Sequence, residues 1–185
     1  MGAGSGGVRR WLALLAGGPA LVGTWIGGFV FNSVAATIFL AIGLGSGAAP
    51  KAPGTCGTLV AVALYLPLSQ LSWPIYLAVV VASALLGIYL CGKTARDWGV
   101  HDHGGIVWDE FVGFWITMLA VPCTWYWVVA GFILFRLFDI WKPWPIRWLD
   151  EKLHGGLGIM LDDIVAGIFA GLCLWLLVTV LGAYP

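Results

Sequence analysis

Long apolar runs separated by short polar segments dominate the chain. Neither Lys, Arg, Asp, Glu nor His occurs between Gly57 and Gly92, between Phe111 and Phe135, or between Ile164 and Pro185. About 20 apolar residues are needed to cross a bilayer as a helix, whereas shorter runs form half-helices or buried core. The pattern predicts helices at roughly 11–31, 34–45, 58–70, 74–92, 110–121, 125–141 and 162–182.

These elements indicate an all-α fold, a polytopic membrane helical bundle with short and broken helices. Composition agrees, because 61% of the 185 residues are hydrophobic and 10% are charged, against about 25% charged residues in soluble domains. The net charge is zero, so nothing in the charge balance indicates a nucleic-acid partner. The bilayer itself is the expected partner, and the oligomeric state stays open.

Charge is confined to a few segments. After Arg9 and Arg10, it occurs at Lys51, within 93–110 and within 136–163. If every helix crosses, segments 46–57, 93–109 and 142–161 share one side of the membrane, and the uncharged turns lie on the other. The positive-inside rule makes the charged side cytoplasmic.

Two adjacent acid pairs each stand at the predicted start of an apolar helix: Asp109 with Glu110, and Asp162 with Asp163. One explanation for this placement is that acidic side chains interact favourably with the positive end of the helix dipole. However, carboxylates at a membrane boundary are costly without a partner, and together with Asp139 these acids form an all-oxygen set that suits Mg²⁺. The nearby His101-x-His103 could bind zinc, but no third ligand has a matching spacing.

Basic and hydroxyl side chains supply candidate ligands for a phosphate group. A glycine-rich segment precedes a predicted helix start near Thr55–Thr58, where free N–H groups could face an anion. Arg136, Asp139 and Lys142 are spaced to share one helix face. The alternative explanation for the glycine-rich segment is a flexible loop with a helix cap, and the alternative for the helix face is an ion-pair ladder. The candidates for binding phosphate are Lys51, Thr55, Thr58, Arg136, Lys142 and Arg147.

Four long strings resemble the phosphatidylglycerophosphatase A family: PGTCGTL from Pro53, GVHDHGGIVWDEFVG from Gly99, FRLFDIWKPWPIRWLD from Phe135 and GGLGIMLDDIVAG from Gly155. The resemblance covers roughly Ala41 to Gly171, so 41–185 is expected to be the catalytic membrane domain and 1–40 an N-terminal membrane helical extension. Asp102 matches an Asp that the family usually has seven residues before the Asp-Glu pair.

The resemblance implies Mg²⁺-dependent hydrolysis of phosphatidylglycerophosphate to phosphatidylglycerol and inorganic phosphate at the bacterial inner membrane, in phosphatidylglycerol and cardiolipin synthesis. The candidate catalytic set is Asp102, Asp109, Glu110, Asp139, Asp162 and Asp163, with either Asp102 or Glu110 as the base. A covalent aspartyl phosphate is an alternative mechanism. The competing functions are a CDP-alcohol phosphotransferase-like enzyme, whose DGxxAR signature the chain lacks, and a small transporter.

Overall fold

The computed structural model describes residues 34–100 and 103–182. A helical segment at 34–41 and a 3₁₀ turn at Ser46–Ala48 lead into six α-helices. These are α1 (Pro53–Leu68), α2 (Trp73–Trp98), α3 (Trp108–Thr117), α4 (Trp125–Trp141), α5 (Ile146–Lys152) and α6 (Gly155–Val180).

The all-α prediction is confirmed, since the described residues form helices joined by short turns. The boundaries differ from the predicted ones in places. Helix α1 begins at Pro53 and α6 at Gly155, each several residues earlier than expected, and the short helix α5 was not predicted. The predicted helix at 11–31 lies outside the described residues.

Among the described residues, two helices are long and apolar enough to cross a membrane. Both α2 and α6 have 26 residues and contain an 18-residue stretch with a mean hydropathy of 2.2, and both expose large apolar side chains such as Leu85 and Leu176. Helix α3 has 10 residues, which makes it about 15 Å long, half of a bilayer core. The fold therefore combines full-length and half-length helices, as the sequence indicated for a membrane protein.

The short helix α3 lies at the centre of the bundle. It packs between α1 and α6, and α6 also contacts α2, α4 and α5. Two indole N–H groups fix α3 to its neighbours: Trp115 donates to the Ala61 carbonyl oxygen at 3.0 Å, and Trp108 donates to the Ser83 carbonyl oxygen at 3.0 Å. The depth and rotation of α3 are thereby set by α1 and α2.

The helices alternate in direction, so their charged ends come together. The start of α1 meets the start of α3 through Thr58 and Glu110, and the end of α4 meets α6 through Lys142 and Asp162. At the other end of the bundle, Tyr76 near the start of α2 donates to the carbonyl oxygen of Trp115 at 2.7 Å. One end of the bundle therefore carries the charged groups of the described residues.

Candidate active site

Four buried carboxylates lie at the charged end of the bundle. Asp109 and Glu110 occupy the first turn of α3, as predicted. Asp162 and Asp163 are also buried, but the prediction that they open a helix is wrong, because α6 starts at Gly155 and they lie about two turns inside it. Their position therefore reflects the packing of α6 and not a capping role.

A glycine contact brings the two acid pairs together. A Cβ atom added to Gly167 of α6 would lie 2.3 Å from the carbonyl oxygen of Gly113 in α3, so the backbones touch here. Residues four apart share a helix face, and Asp109 and Asp163 each precede one of these glycines by four residues. The same side of each helix therefore carries a glycine for contact and, one turn earlier, a carboxylate.

Glu110 has two donors from neighbouring helices. Its Oε2 lies 2.5 Å from the Thr58 hydroxyl of α1 and 3.0 Å from Arg136 Nη1 of α4. Gly54 gives Glu110 room, since a Cβ there would lie 2.2 Å from Glu110 Oε1. One carboxylate thus joins three helices. Thr58 was expected to bind phosphate at a helix start, and the structure instead places its hydroxyl against Glu110.

Arg136 and Asp139 form the expected pair on one face of α4. Arg136 Nη1 lies 2.5 Å from Asp139 Oδ2, so the two residues share the helix face that their spacing predicts, and they form the ion pair of the alternative explanation. The Nε atom of Arg136 is buried and has no hydrogen-bond partner in the described part of the chain. Buried N–H donors are normally satisfied, so this atom is a ready donor for an anion.

Lys142 lies outside the helix, so the prediction that it shares the face of Arg136 and Asp139 is wrong. It follows the last residue of α4 in a left-handed conformation with φ 44°, which turns it away from the helix face. Its Nζ lies 2.6 Å from Asp162 Oδ2 and 3.0 Å from Asp150 Oδ1. Burial favours the neutral amine, but these two carboxylates outweigh it and raise the pKa of Lys142 above its usual range.

The remaining candidates lie at the edge of the site or beyond it. Lys51 is exposed just before α1, and Thr55 is half-buried in the first turn of α1. Arg147 is mostly exposed and pairs with Glu151 at 3.0 Å, so the structure does not bring it to the buried acids. Asp102 and His101 lie outside the described residues. The ring of His103 packs against Trp98 and accepts a hydrogen bond from the Gly105 amide.

The charge balance of the cluster fits a divalent cation. The cluster has five carboxylates, and ion pairs join three of them to cations: Arg136 binds Glu110 and Asp139, and Lys142 binds Asp162. The other four carboxylates all act electrostatically on Asp163, which is almost completely buried. Like charges held close together at this depth are costly, and the donors are hard oxygens. Within the described residues, however, no three acidic, His or Cys side chains stand at metal-ligating separations.

Two contributors were missed by sequence reasoning. Asp150 binds Lys142 from the short helix α5, and Gly54 leaves space for Glu110 and Arg136. Neither has a periodic relation to its partners along the chain, and both lie within the strings that carry the family resemblance. Those strings were the only signal for either residue.

Comparison with known proteins identifies the family of the chain. The family model described as phosphatidylglycerophosphatase A matches residues 39–178. A phosphatidylglycerophosphatase A of Escherichia coli is 55% identical over 71% of this chain and 77% of its own length. A protein of the same name from Haemophilus influenzae is 54% identical over 71% of this chain and 82% of its own length.

A third relative carries a different name. A Bacteroides thetaiotaomicron protein, provisionally named a phosphatidylinositol-3-phosphatase, is 44% identical over 72% of this chain and 87% of its own length. No solved structure matches the chain. The family match extends over most of the chain and includes every helix that supplies a buried carboxylate. The chain belongs to the phosphatidylglycerophosphatase A family, and the expected enzyme class, a phosphatase, is confirmed.

Proposed function

We propose that this protein hydrolyses phosphatidylglycerophosphate to phosphatidylglycerol and inorganic phosphate at the bacterial inner membrane, supplying phosphatidylglycerol and cardiolipin synthesis. The family and the names of two relatives support this substrate. The observation that carries the proposal is the buried acid–base cluster at one end of a lipid-facing bundle. A lipid substrate keeps its acyl chains in the bilayer and presents its phosphate at that depth.

Three groups would hold the phosphate oxygens. The buried Nε of Arg136 has a free N–H, and arginine recognises phosphate through directed hydrogen bonds. The first turn of α1, which includes Thr55, supplies backbone N–H groups and the positive end of the helix dipole. Lys51 lies two residues before this turn, exposed, and adds a mobile positive charge.

Asp139 and the buried carboxylates Asp109, Asp162 and Asp163, with Glu110 beside them, would hold Mg²⁺. Bound there, the ion would neutralise phosphate charge and lower the pKa of a water molecule. Lys142 keeps Asp162 in place through the 2.6 Å ion pair. Arg136 does the same for Asp139.

The proton of the attacking water needs a carboxylate base. Glu110 Oε2 accepts from Thr58 and lies against Arg136, so Glu110 also positions Arg136. Either Glu110 or Asp102 would take the proton. The alternative, attack by an aspartate to form an aspartyl phosphate, would leave a covalent intermediate that can be trapped.

A second candidate substrate follows from the Bacteroides relative, whose name specifies a phosphatidylinositol phosphate. Both lipids carry a phosphomonoester at the membrane surface, so the cluster alone does not separate them. The test is phosphate release by the purified protein from each lipid in mixed micelles, with and without excess chelator. We expect release from phosphatidylglycerophosphate that chelator abolishes and Mg²⁺ restores. Full turnover in chelator would refute the proposed Mg²⁺ dependence. Preference for the inositol lipid would show that phosphatidylglycerophosphate is not the main substrate.

A further inference from the structure

Large apolar side chains are exposed close to the charged cluster. The tryptophan loop, residues 141–148, carries Trp141, Trp144 and Trp148, and all three are exposed. Ile140, just before it, is exposed as well. Exposed apolar groups beside ion pairs do not suit a surface that faces water alone. They suit the boundary between lipid and water, where indole rings are enriched.

The loop is held firmly. Ile146 is completely buried beneath it, and Lys142 binds Asp162 of α6 and Asp150 of α5. Because Asp162 belongs to the carboxylate cluster, the depth of the loop in the membrane and the depth of the cluster are linked through one ion pair.

A second set of exposed tryptophans marks the other end of the bundle. Trp125 is 78% exposed at the start of α4 and Trp73 is 61% exposed at the start of α2. Trp125 and Trp141 bound the 17-residue helix α4, so they lie about 24 Å apart along its axis. The loop extends beyond Trp141, so the separation between the two sets of tryptophans is close to the thickness of a bilayer core, about 30 Å.

We infer that the tryptophan loop lies in the phospholipid head-group layer on the site-bearing side and holds the carboxylate cluster at that depth. Its partner is the lipid surface, which also suits the large apolar side chains that α2 and α6 expose. The inference rests on the proposed lipid substrate. It adds that action on a bilayer-embedded phosphomonoester needs the loop, whereas chemistry on a water-soluble one does not.

The test compares two matched double variants. Trp144→Ala/Trp148→Ala removes loop side chains that are 81% and 52% exposed, and Trp73→Ala/Trp125→Ala removes equally exposed indoles at the opposite end. The loop variant should raise KM for phosphatidylglycerophosphate in vesicles at least about fivefold. Its kcat/KM on a short-chain, water-soluble analogue should stay within about twofold of wild type, and the control variant should change neither. An unchanged vesicle KM, equal effects of both variants, or an equal loss on the soluble analogue would overturn the inference.

A readout independent of activity separates this inference from the proposed function. Tryptophan fluorescence in vesicles is compared between wild type and Trp144→Phe/Trp148→Phe, using lipids brominated near the glycerol or near the chain end. The fluorescence of the loop tryptophans is the difference between the two proteins. It should be quenched by the lipid brominated near the glycerol and only weakly by the lipid brominated near the chain end or by aqueous iodide. Quenching by iodide alone would place the loop in water. Should no lipid be hydrolysed at all, the proposed function fails, and this measurement still decides where the loop lies.

Discussion

Buried acids without enough cations are the most unusual feature at the residue scale. Asp163 is nearly inaccessible and surrounded by like charges from α3, α4 and its own helix. Residues placed only for stability would not be arranged in this way, since a buried charge that lacks a partner costs several kcal/mol. A cation bound among these acids would relieve that electrostatic cost.

Replacing Asp163 with Asn should separate function from stability. The amide keeps the shape and removes one of the repelling charges, so the melting temperature should not fall. We expect kcat to drop about 10²–10³-fold, the usual cost of losing one element of transition-state charge stabilisation. Steady-state kinetics and thermal unfolding in detergent measure the two effects.

Asp97→Asn is the control, because Asp97 pairs with Lys93 at 2.6 Å on the partly exposed end of α2. Such pairs contribute at most about 1 kcal/mol, so its kinetics should match wild type. Activity of Asp163→Asn within a few-fold of wild type would remove Asp163 from the metal site.

Thr58 gives a second prediction at this scale. Thr58→Val is nearly isosteric but leaves Glu110 with one donor fewer, which should cost about 1–3 kcal/mol of stability. Because Arg136 loses part of its support, kcat/KM should fall roughly tenfold. Thr58→Ser keeps the hydroxyl and should restore both quantities. Wild-type kinetics for the Val variant would show that Glu110 is positioned without Thr58.

At the scale of elements, the carboxylates are brought together by glycines. Gly54, Gly113 and Gly167 each lie where a side chain would collide with a neighbouring helix or with Glu110. Helix α3 supplies one acid pair, α6 the other, and α1 and α4 the groups that hold Glu110. The precision of the site is thus a property of helix packing.

Gly54→Ala tests this junction. Alanine favours the helix more than glycine does, so the substitution alone should stabilise the local helical backbone. Its Cβ, however, would lie 2.2 Å from Glu110 Oε1 and 3.1 Å from Arg136 Nη2, and displacement of this pair should cost about 1–3 kcal/mol and lower kcat/KM.

Gly104→Ala is the matched control, since its Cβ would lie 3.9 Å from Pro53 Cγ, an ordinary contact. Both variants are compared by thermal unfolding and by lipid hydrolysis. Equal behaviour of the two would contradict a packed junction at Gly54.

Element boundaries show why sequence reasoning succeeded in part. The acid pair of α3 follows a turn and was placed correctly, and α4 was predicted with its observed bounds. In contrast, residues 142–161 were predicted to lie between helices, although Gly155-Gly156-Leu157-Gly158 begins α6; glycine on its own weakens a helix. In the fold these glycines are helical, since a Cβ on Gly156 would lie 1.9 Å from the Ile88 carbonyl oxygen of α2. Tertiary packing of this kind leaves no periodic signal in one sequence.

At the scale of the whole molecule, the charged end is expected to face the cytoplasm. Cysteines introduced by Ala52→Cys, Gly104→Cys and Lys152→Cys should be shielded from a membrane-impermeant thiol reagent in intact cells and become reactive after permeabilisation. The native Cys123 is exposed in the turn before α4, at the opposite end, and should react from outside. Labelling of any introduced cysteine from outside would contradict the prediction that the charged segments all lie on the cytoplasmic side.

The order in which the chain contributes its reactive groups has a consequence for biogenesis. Thr58, Asp109, Arg136 and Asp163 come from four helices, of which α6 is the last along the chain. The ribosome synthesises the helices in that order, so a nascent protein that already carries α1 to α4 still lacks Asp162 and Asp163. If these acids hold the metal, hydrolysis should begin only once α6 has been synthesised and docked, and any truncation before Gly155 should yield a membrane-bound but inert polypeptide.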